Sequence, residues 1–144
     1  MRSEGAGMLR IAVLVGSPRK NGACARFAAE LEDALRGAGA VAELLFLCDY
    51  EVLGCVGCGA CERTGACVLD AREGAGGRPG FACLLKRLQA ADALALVAPV
   101  YFSGPPSQLK AVLDRMQPLW CQRYLLGRRP VRPLECRRPL DLFV

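Results

Sequence analysis

The chain of 144 residues contains no histidine, which removes the commonest general base and the commonest zinc ligand. Aromatic residues make up only 6% of it, with a single tryptophan. The longest apolar run, Ala93–Val100, falls far short of the ~18 residues that would span a membrane. The opening MRSEGAGML lacks the long apolar stretch of a secretory signal, so a cytoplasmic location is expected. No paired catalytic carboxylates and no nucleophile elbow are visible, and a hydrolase or an ordinary acid–base enzyme would need at least one such device.

What remains is a chain that is 53% hydrophobic and carries nine cysteines and a net charge of +5. Its length fits one domain, residues 1–144, with enough chain to bury a core unaided. Scattered disulfides explain nine cysteines poorly in a reducing compartment, so metal or redox chemistry gains weight. The charge is uneven: residues 115–144 hold seven arginines against two acids, and the first 114 residues balance. Pro130, Pro133 and Pro139 interrupt those arginines and stacking aromatics are few, so nucleic-acid binding is disfavoured and 122–139 reads as a solvated connection.

Leu9–Val15 (LRIAVLV) reads as a strand buried on both faces, and Gly16–Gly22 (GSPRKNG) as a loop. Phe27, Leu31 and Leu35 recur every four residues, predicting a helix over Ala23–Arg36 that Gly37 and Gly39 stop. Val41–Leu47 is a second strand, completing a βαβ unit. Residues 48–80 are rich in Gly and Cys with no sustained period, and 73–80 reads as almost pure loop. Helical spacing resumes at Phe81, Leu84, Leu85 and Leu88, and Ala93–Ala98 is a third strand. After the loop Val100–Ser107, Pro106 stands where a helix can begin. Leu109, Val112, Leu113 and Met116 mark one face of a helix over Gln108–Leu119. Leu140–Val144 reads as the start of a fourth strand, and 1–8 as a disordered N-terminus. The fold class is α/β with an open sheet.

Gly16–Gly22 lies at the carboxyl end of a strand and opens a helix, where ligands of open α/β sheets bind. Its amides, Ser17 and Asn21 suit a phosphate, with the helix dipole and Arg19 and Lys20 adding positive charge. The loop has the spacing of neither GxGxxG nor GxxxxGK[ST], which disfavours a dinucleotide fold and an NTPase. GSPRKNG after a buried first strand resembles the phosphate loop of the flavodoxin-like NAD(P)H-dependent FMN reductase superfamily. PVYFSGPPSQLKAVLDR at 99–115 resembles its second signature. The resemblance implies a flavodoxin-like parallel sheet of order 2-1-3-4, without the family's last strand and helix, and a Cys-rich insertion after the second strand. It implies FMN phosphate contacts from Ser17, Arg19 and Asn21, with Gly22 and Cys24 beside them, and an isoalloxazine ring lined by Pro99, Val100, Tyr101, Phe102, Ser103 and Gly104. At 23 and 24 the family usually has Asn then Thr or Ser; here Ala23 and Cys24 remove a hydroxyl donor, which bears on affinity more than on the site.

Cys55, Cys58, Cys61 and Cys67 fall in thirteen residues as C-x2-C-x2-C-x5-C. Structural zinc sites pair two distant knuckles, whereas a compact run with Gly57 and Gly59 between ligands wraps one side of a cubane. Cys67 lies farther along and is placed to loop back. The same spacing resembles the iron–sulfur flavoprotein branch of the superfamily, in which four such cysteines hold a [4Fe–4S] cluster near FMN. A cluster is the favoured reading; cluster-free cysteines, zinc and a disulfide pair remain alternatives. Cys24, Cys48, Cys83, Cys121 and Cys136 read as small buried hydrophobes or incidental thiols.

The resemblance implies an FMN-dependent oxidoreductase that passes electrons from NAD(P)H or a reduced ferredoxin-type carrier to an acceptor, directly or through the cluster. The alternatives are a non-catalytic electron carrier and a truncated or zinc-binding module. Asp114 and Arg115 are expected to be a helix-surface or interface pair rather than catalytic groups. An apolar edge at Leu140–Val144 would need covering, so a homo-oligomer is expected.

Overall fold

A computed structural model describes residues 8–128. The β-branched and leucine-rich stretch Arg10–Val15 forms β1, the middle of a parallel sheet among the described residues. β2 (Val41–Phe46) pairs on one side and β3 (Ala93–Val97) on the other, giving the order β2-β1-β3. Val13 stands opposite Leu44 in one neighbour and Ala95 in the other. Parallel pairing requires crossovers, and these contain α1 (Ala23–Gly37) and α3 (Phe81–Gln89). The expected order is thus observed over its first three strands. The fourth strand predicted at Leu140–Val144 lies outside the described residues, as do 1–7 of the predicted N-terminal tail and Cys136.

Alternation along β1 builds a core on each face of the sheet. Ala12 and Leu14 pack with Leu45, Leu47, Phe81, Leu84, Leu109 and Val112, whereas Val13 and Val15 pack with Ala28 and Val97 under α1. Burial on both faces explains why the strand reads as a continuous apolar run. The buried stripe of α1 runs through Ala25 and Ala28, with Cys24, Leu31 and Leu35 packed beside it. Phe27, expected on that stripe, is 51% exposed: it sits about 100° around the helix from Ala28, so only the spacing of Leu31 and Leu35 reported the buried side.

The helix expected over Gln108–Leu119 is broken. α4 covers Ser107–Asp114, with Pro106 at its N-cap. Pro118 has no amide to donate to the Asp114 carbonyl, so a separate short helix, Gln117–Trp120, follows. Leu109 and Val112 are buried as expected, but Leu113 is exposed. The chain then continues through a π-helical turn, Cys121–Leu125, rather than entering a solvated connection at 122. Among the described residues, no helix is long and apolar enough to cross a membrane.

The Cys-rich segment is more ordered than its lack of period implied. It contains a one-turn helix, α2 (Ala60–Thr64), closed by Gly65 at φ 74°. A Cβ on Gly65 would stand 2.8 Å from Gln122 Cγ. Both facts require glycine there. Glu51 bridges to Gly80, and the Glu73 carboxylate accepts the amides of Leu53 and Phe81, each at 2.7 Å. Glu73, read as loop, is therefore the buried tie that closes the segment onto the start of α3.

Candidate functional site

The carboxyl ends of β1 and β3 adjoin where the strand order reverses, which is the ligand-binding position of open α/β sheets. Two loops leave that point side by side, with the Gly16 amide donating to the Val97 carbonyl at 2.8 Å. In the first loop Ser17 is buried, and its Oγ accepts the Arg19 amide at 3.2 Å. Arg19 and Asn21 are exposed, and Gly22 is the N-cap of α1. No side chain caps that helix, so its first-turn amides, including that of Cys24, remain open to an anion. Lys20 is not free to neutralise such an anion by itself: its ammonium pairs with Asp49 at 2.5 Å, a hydrogen bond that raises its pKa. Asp49 follows β2 and is a partner that local sequence could not announce.

The second loop exposes Val100, Tyr101 and Phe102, the last completely. Phe102 and Ser103 adopt φ values of 43° and 62°, a left-handed conformation that costs about 1–3 kcal/mol for each non-glycine residue. The Tyr101 and Gly104 amides and carbonyls bond reciprocally at 2.8 and 3.0 Å and pin the turn. Strain, an uncovered aromatic and apolar surface thus coincide beside the first loop. Pro99 joins this turn to β3 and is half-buried.

Cys55, Cys58, Cys61 and Cys67 line one cavity of about 500 Å³, together with Leu113, Arg115 and Pro118 from the end of α4 and the following turn. Gly57 and Gly59 adopt positive φ, and the Gly57 amide reaches the Cys55 sulfur at 3.5 Å. Among the described residues, no group of three or more Cys, Asp or Glu is placed to hold a single metal ion. The four thiols line this volume without converging on one point.

Arg115 forms the floor of this region. It was expected at the surface with Asp114; instead it is 1% exposed, and Asp114 pairs with Lys110 on the outside of α4. The Arg115 guanidinium donates to Glu73 at 2.6 Å, to Asp70 at 2.5 Å and to the Leu53 carbonyl at 3.0 Å, and stacks over Phe81. Burial alone would lower its pKa, but Glu73, the nearby Cys67 and Asp70 outweigh it and the net direction is upward. Arg115 therefore stays charged. Its surface assignment failed because all its acidic partners lie more than 40 residues away.

Cys61 has a partner that its spacing did not reveal. The Cys121 thiol donates to Cys61 Sγ at 3.9 Å. Burial is the chief cause that pushes the Cys61 thiol upward. Of the other isolated cysteines, Cys24 and Cys48 are half-buried, but Cys83 is exposed and so is no core hydrophobe.

The model of the NADPH-dependent FMN reductase family matches residues 9–135. The chain belongs to this family. Among curated relatives it is 33% identical over 113 residues to an iron-sulfur flavoprotein of Methanocaldococcus jannaschii, covering 77% of this chain and 53% of that protein. It is 31% identical over 107 residues to an iron-sulfur flavoprotein of Methanosarcina thermophila (74% and 52%) and 29% over 115 residues to one of Archaeoglobus fulgidus (80% and 49%). The chain spans about half the length of these relatives. No solved structure matches it. The three-stranded sheet and its helices agree with the flavodoxin-like fold expected of an FMN reductase family member. Within that family frame, the open amides and buried Ser17 suit a phosphate, and the exposed second loop suits a planar ring.

Proposed function

We propose that the chain is the FMN-binding and cluster-binding part of an oxidoreductase that passes electrons from NAD(P)H or a reduced ferredoxin-type carrier to an acceptor. Ser17, Arg19, Asn21, Gly22 and Cys24 hold the FMN phosphate, and Pro99, Val100, Tyr101, Phe102, Ser103 and Gly104 line the ring. Cys55, Cys58, Cys61 and Cys67 hold a [4Fe–4S] cluster. The observation that carries this reading is the gathering of all four cysteines around one cavity in a member of the FMN reductase family.

When bound, FMN supplies hydride and one-electron chemistry and a cluster supplies one-electron transfer, so the protein needs no acid–base residue of its own. Its own tasks are binding and electrostatics. The helix dipole and first-loop amides balance phosphate charge. The Phe102–Ser103 turn, pinned by the Tyr101–Gly104 hydrogen bonds, would give the loop that lines the ring a fixed shape. Arg115, already paired with Glu73 and Asp70, braces the cavity floor beside Cys67 rather than supplying spare positive charge. Leu113 and Pro118 supply an apolar part of the cavity lining. A homo-oligomer belongs to the same proposal, since the exposed second loop would gain cover from a second chain.

Anaerobic purification with an absorption spectrum, flavin and iron assays, and NADPH oxidation tests the reading. Flavin and iron bound together, with NADPH turnover, are the expected result. A colourless protein holding stoichiometric zinc would sink it.

A further inference from the structure

Cys121 is completely buried and does not line the cysteine cavity, yet its sulfur lies 3.9 Å from that of half-buried Cys61. Sixty residues separate the two in sequence, so the approach is made by tertiary docking. Gln122 Nε2 donates to the Gly65 carbonyl at 2.6 Å and Arg128 to the Thr64 carbonyl at 2.9 Å, clamping the π turn onto α2. Gln117 holds Cys121 from behind, its Nε2 3.8 Å from the sulfur. A disulfide needs about 2.05 Å between sulfurs, so each has to move by roughly 1 Å, within reach of a side-chain rotation. Cys55 and Cys58, by contrast, are exposed. Among the described residues, the Cys121–Cys61 contact is the one sulfur–sulfur hydrogen bond.

We propose that Cys61 and Cys121 form a redox-active dithiol that accepts low-molecular-weight disulfides as oxidants. Cys61, the more accessible of the two thiols, meets the oxidant and attacks through its minor deprotonated fraction, the proton passing to solvent and later to the second departing thiolate. Its sulfur bonds to one sulfur of the small disulfide, whose S–S bond breaks and releases one small thiolate. Buried Cys121 then loses its proton to that thiolate and attacks the Cys61 sulfur. The second small thiol departs and the Cys61–Cys121 bond remains. Two protein thiols lose two electrons and two protons, and one small disulfide is reduced to two thiols. Oxidation leaves the cavity with three of its four thiols, so the dithiol also gates loading; this consequence alone rests on the cluster reading.

The test uses the full chain, freed of metal by anaerobic chelation, reduced, and then exposed to oxidised glutathione. Free thiols are titrated and disulfides mapped by mass spectrometry. Loss of two thiols with a Cys61–Cys121 linked peptide and no retained glutathione supports the proposal. In Cys121→Ser, Cys61 is expected to keep glutathione as a stable mixed disulfide. The wild-type map decides the matter even if that variant fails to fold. A link from Cys61 to Cys55 or Cys58, or a free Cys121 beside a glutathionylated Cys61 in the wild type, overturns it. Iron uptake is then compared between the oxidised chain and the same chain after reduction. Lower uptake by the oxidised chain supports the gate, and equal, substantial uptake overturns it. If the reduced chain takes up no iron while the link has formed, the cluster reading and its gate fail and the dithiol stands.

Discussion

Arg115 offers the sharpest energetic prediction. Its guanidinium side chain is 0% exposed and its partner Glu73 1% exposed, whereas Asp70 retains 39% exposure. Replacing Arg115 with leucine leaves Asp70 able to hydrate, at a cost of roughly 0–1 kcal/mol. It leaves Glu73 a buried carboxylate with two backbone amides but no countercharge, which costs about 3–5 kcal/mol. Against a total stability of about 5–15 kcal/mol, that is a large fraction. With a urea slope of about 1–3 kcal/mol per molar, the unfolding midpoint should fall by roughly 2 M. The double variant Arg115→Leu with Glu73→Gln removes the stranded charge and keeps an acceptor for one amide. It should recover about 1–3 kcal/mol of the loss, read as coupling in a double-mutant cycle. A single variant costing under about 1 kcal/mol, or a double variant no more stable than the single one, would refute the buried-pair argument.

Gly65→Ala places a Cβ against Gln122 at a left-handed φ of 74°, and a loss of at least about 1–2 kcal/mol should appear in thermal or urea unfolding. Ser17→Ala removes a buried hydroxyl of the first loop and should weaken FMN binding about 3–10-fold in a fluorescence-quenching titration. Phe102→Gly relieves positive-φ strain; stability should hold or rise by up to about 1 kcal/mol while FMN affinity falls. Cys67→Ser should lower bound iron in the reconstituted chain, whereas Cys83→Ser, at an exposed site away from the cavity, should leave iron content unchanged.

The parts of the molecule that sequence announced are those set by local pattern. Arg10–Val15 reads as a doubly buried strand because β1 has neighbours and helices on every side, and the α3 face repeats at helical spacing. The two loops at the switch point follow from where the apolar runs end. The cysteine spacing likewise announced that the four thiols would be neighbours, and they line one cavity. What escaped was long-range. Glu73 looked like loop because its worth lies in contacts with Leu53, Phe81 and Arg115. Arg115 looked like a surface charge because helical periodicity carries no information about a carboxylate brought in from the Cys-rich segment. Cys121 looked incidental for the same reason: only the docking of the π turn on α2 brings it to Cys61. The helix break before Pro118 was legible in principle, since proline cannot donate to the preceding turn.

The proposed function requires one chain to hold FMN at the switch point and a four-thiol cluster in the cavity beside Arg115. Anaerobic reconstitution with FMN, iron and sulfide, followed by desalting and elemental and flavin analysis, tests it directly. About four iron atoms and about one FMN per chain are expected, with the iron lost on substituting Cys55, Cys58, Cys61 or Cys67. Iron that stays bound when these cysteines are replaced, or zinc in its place without flavin, would contradict it.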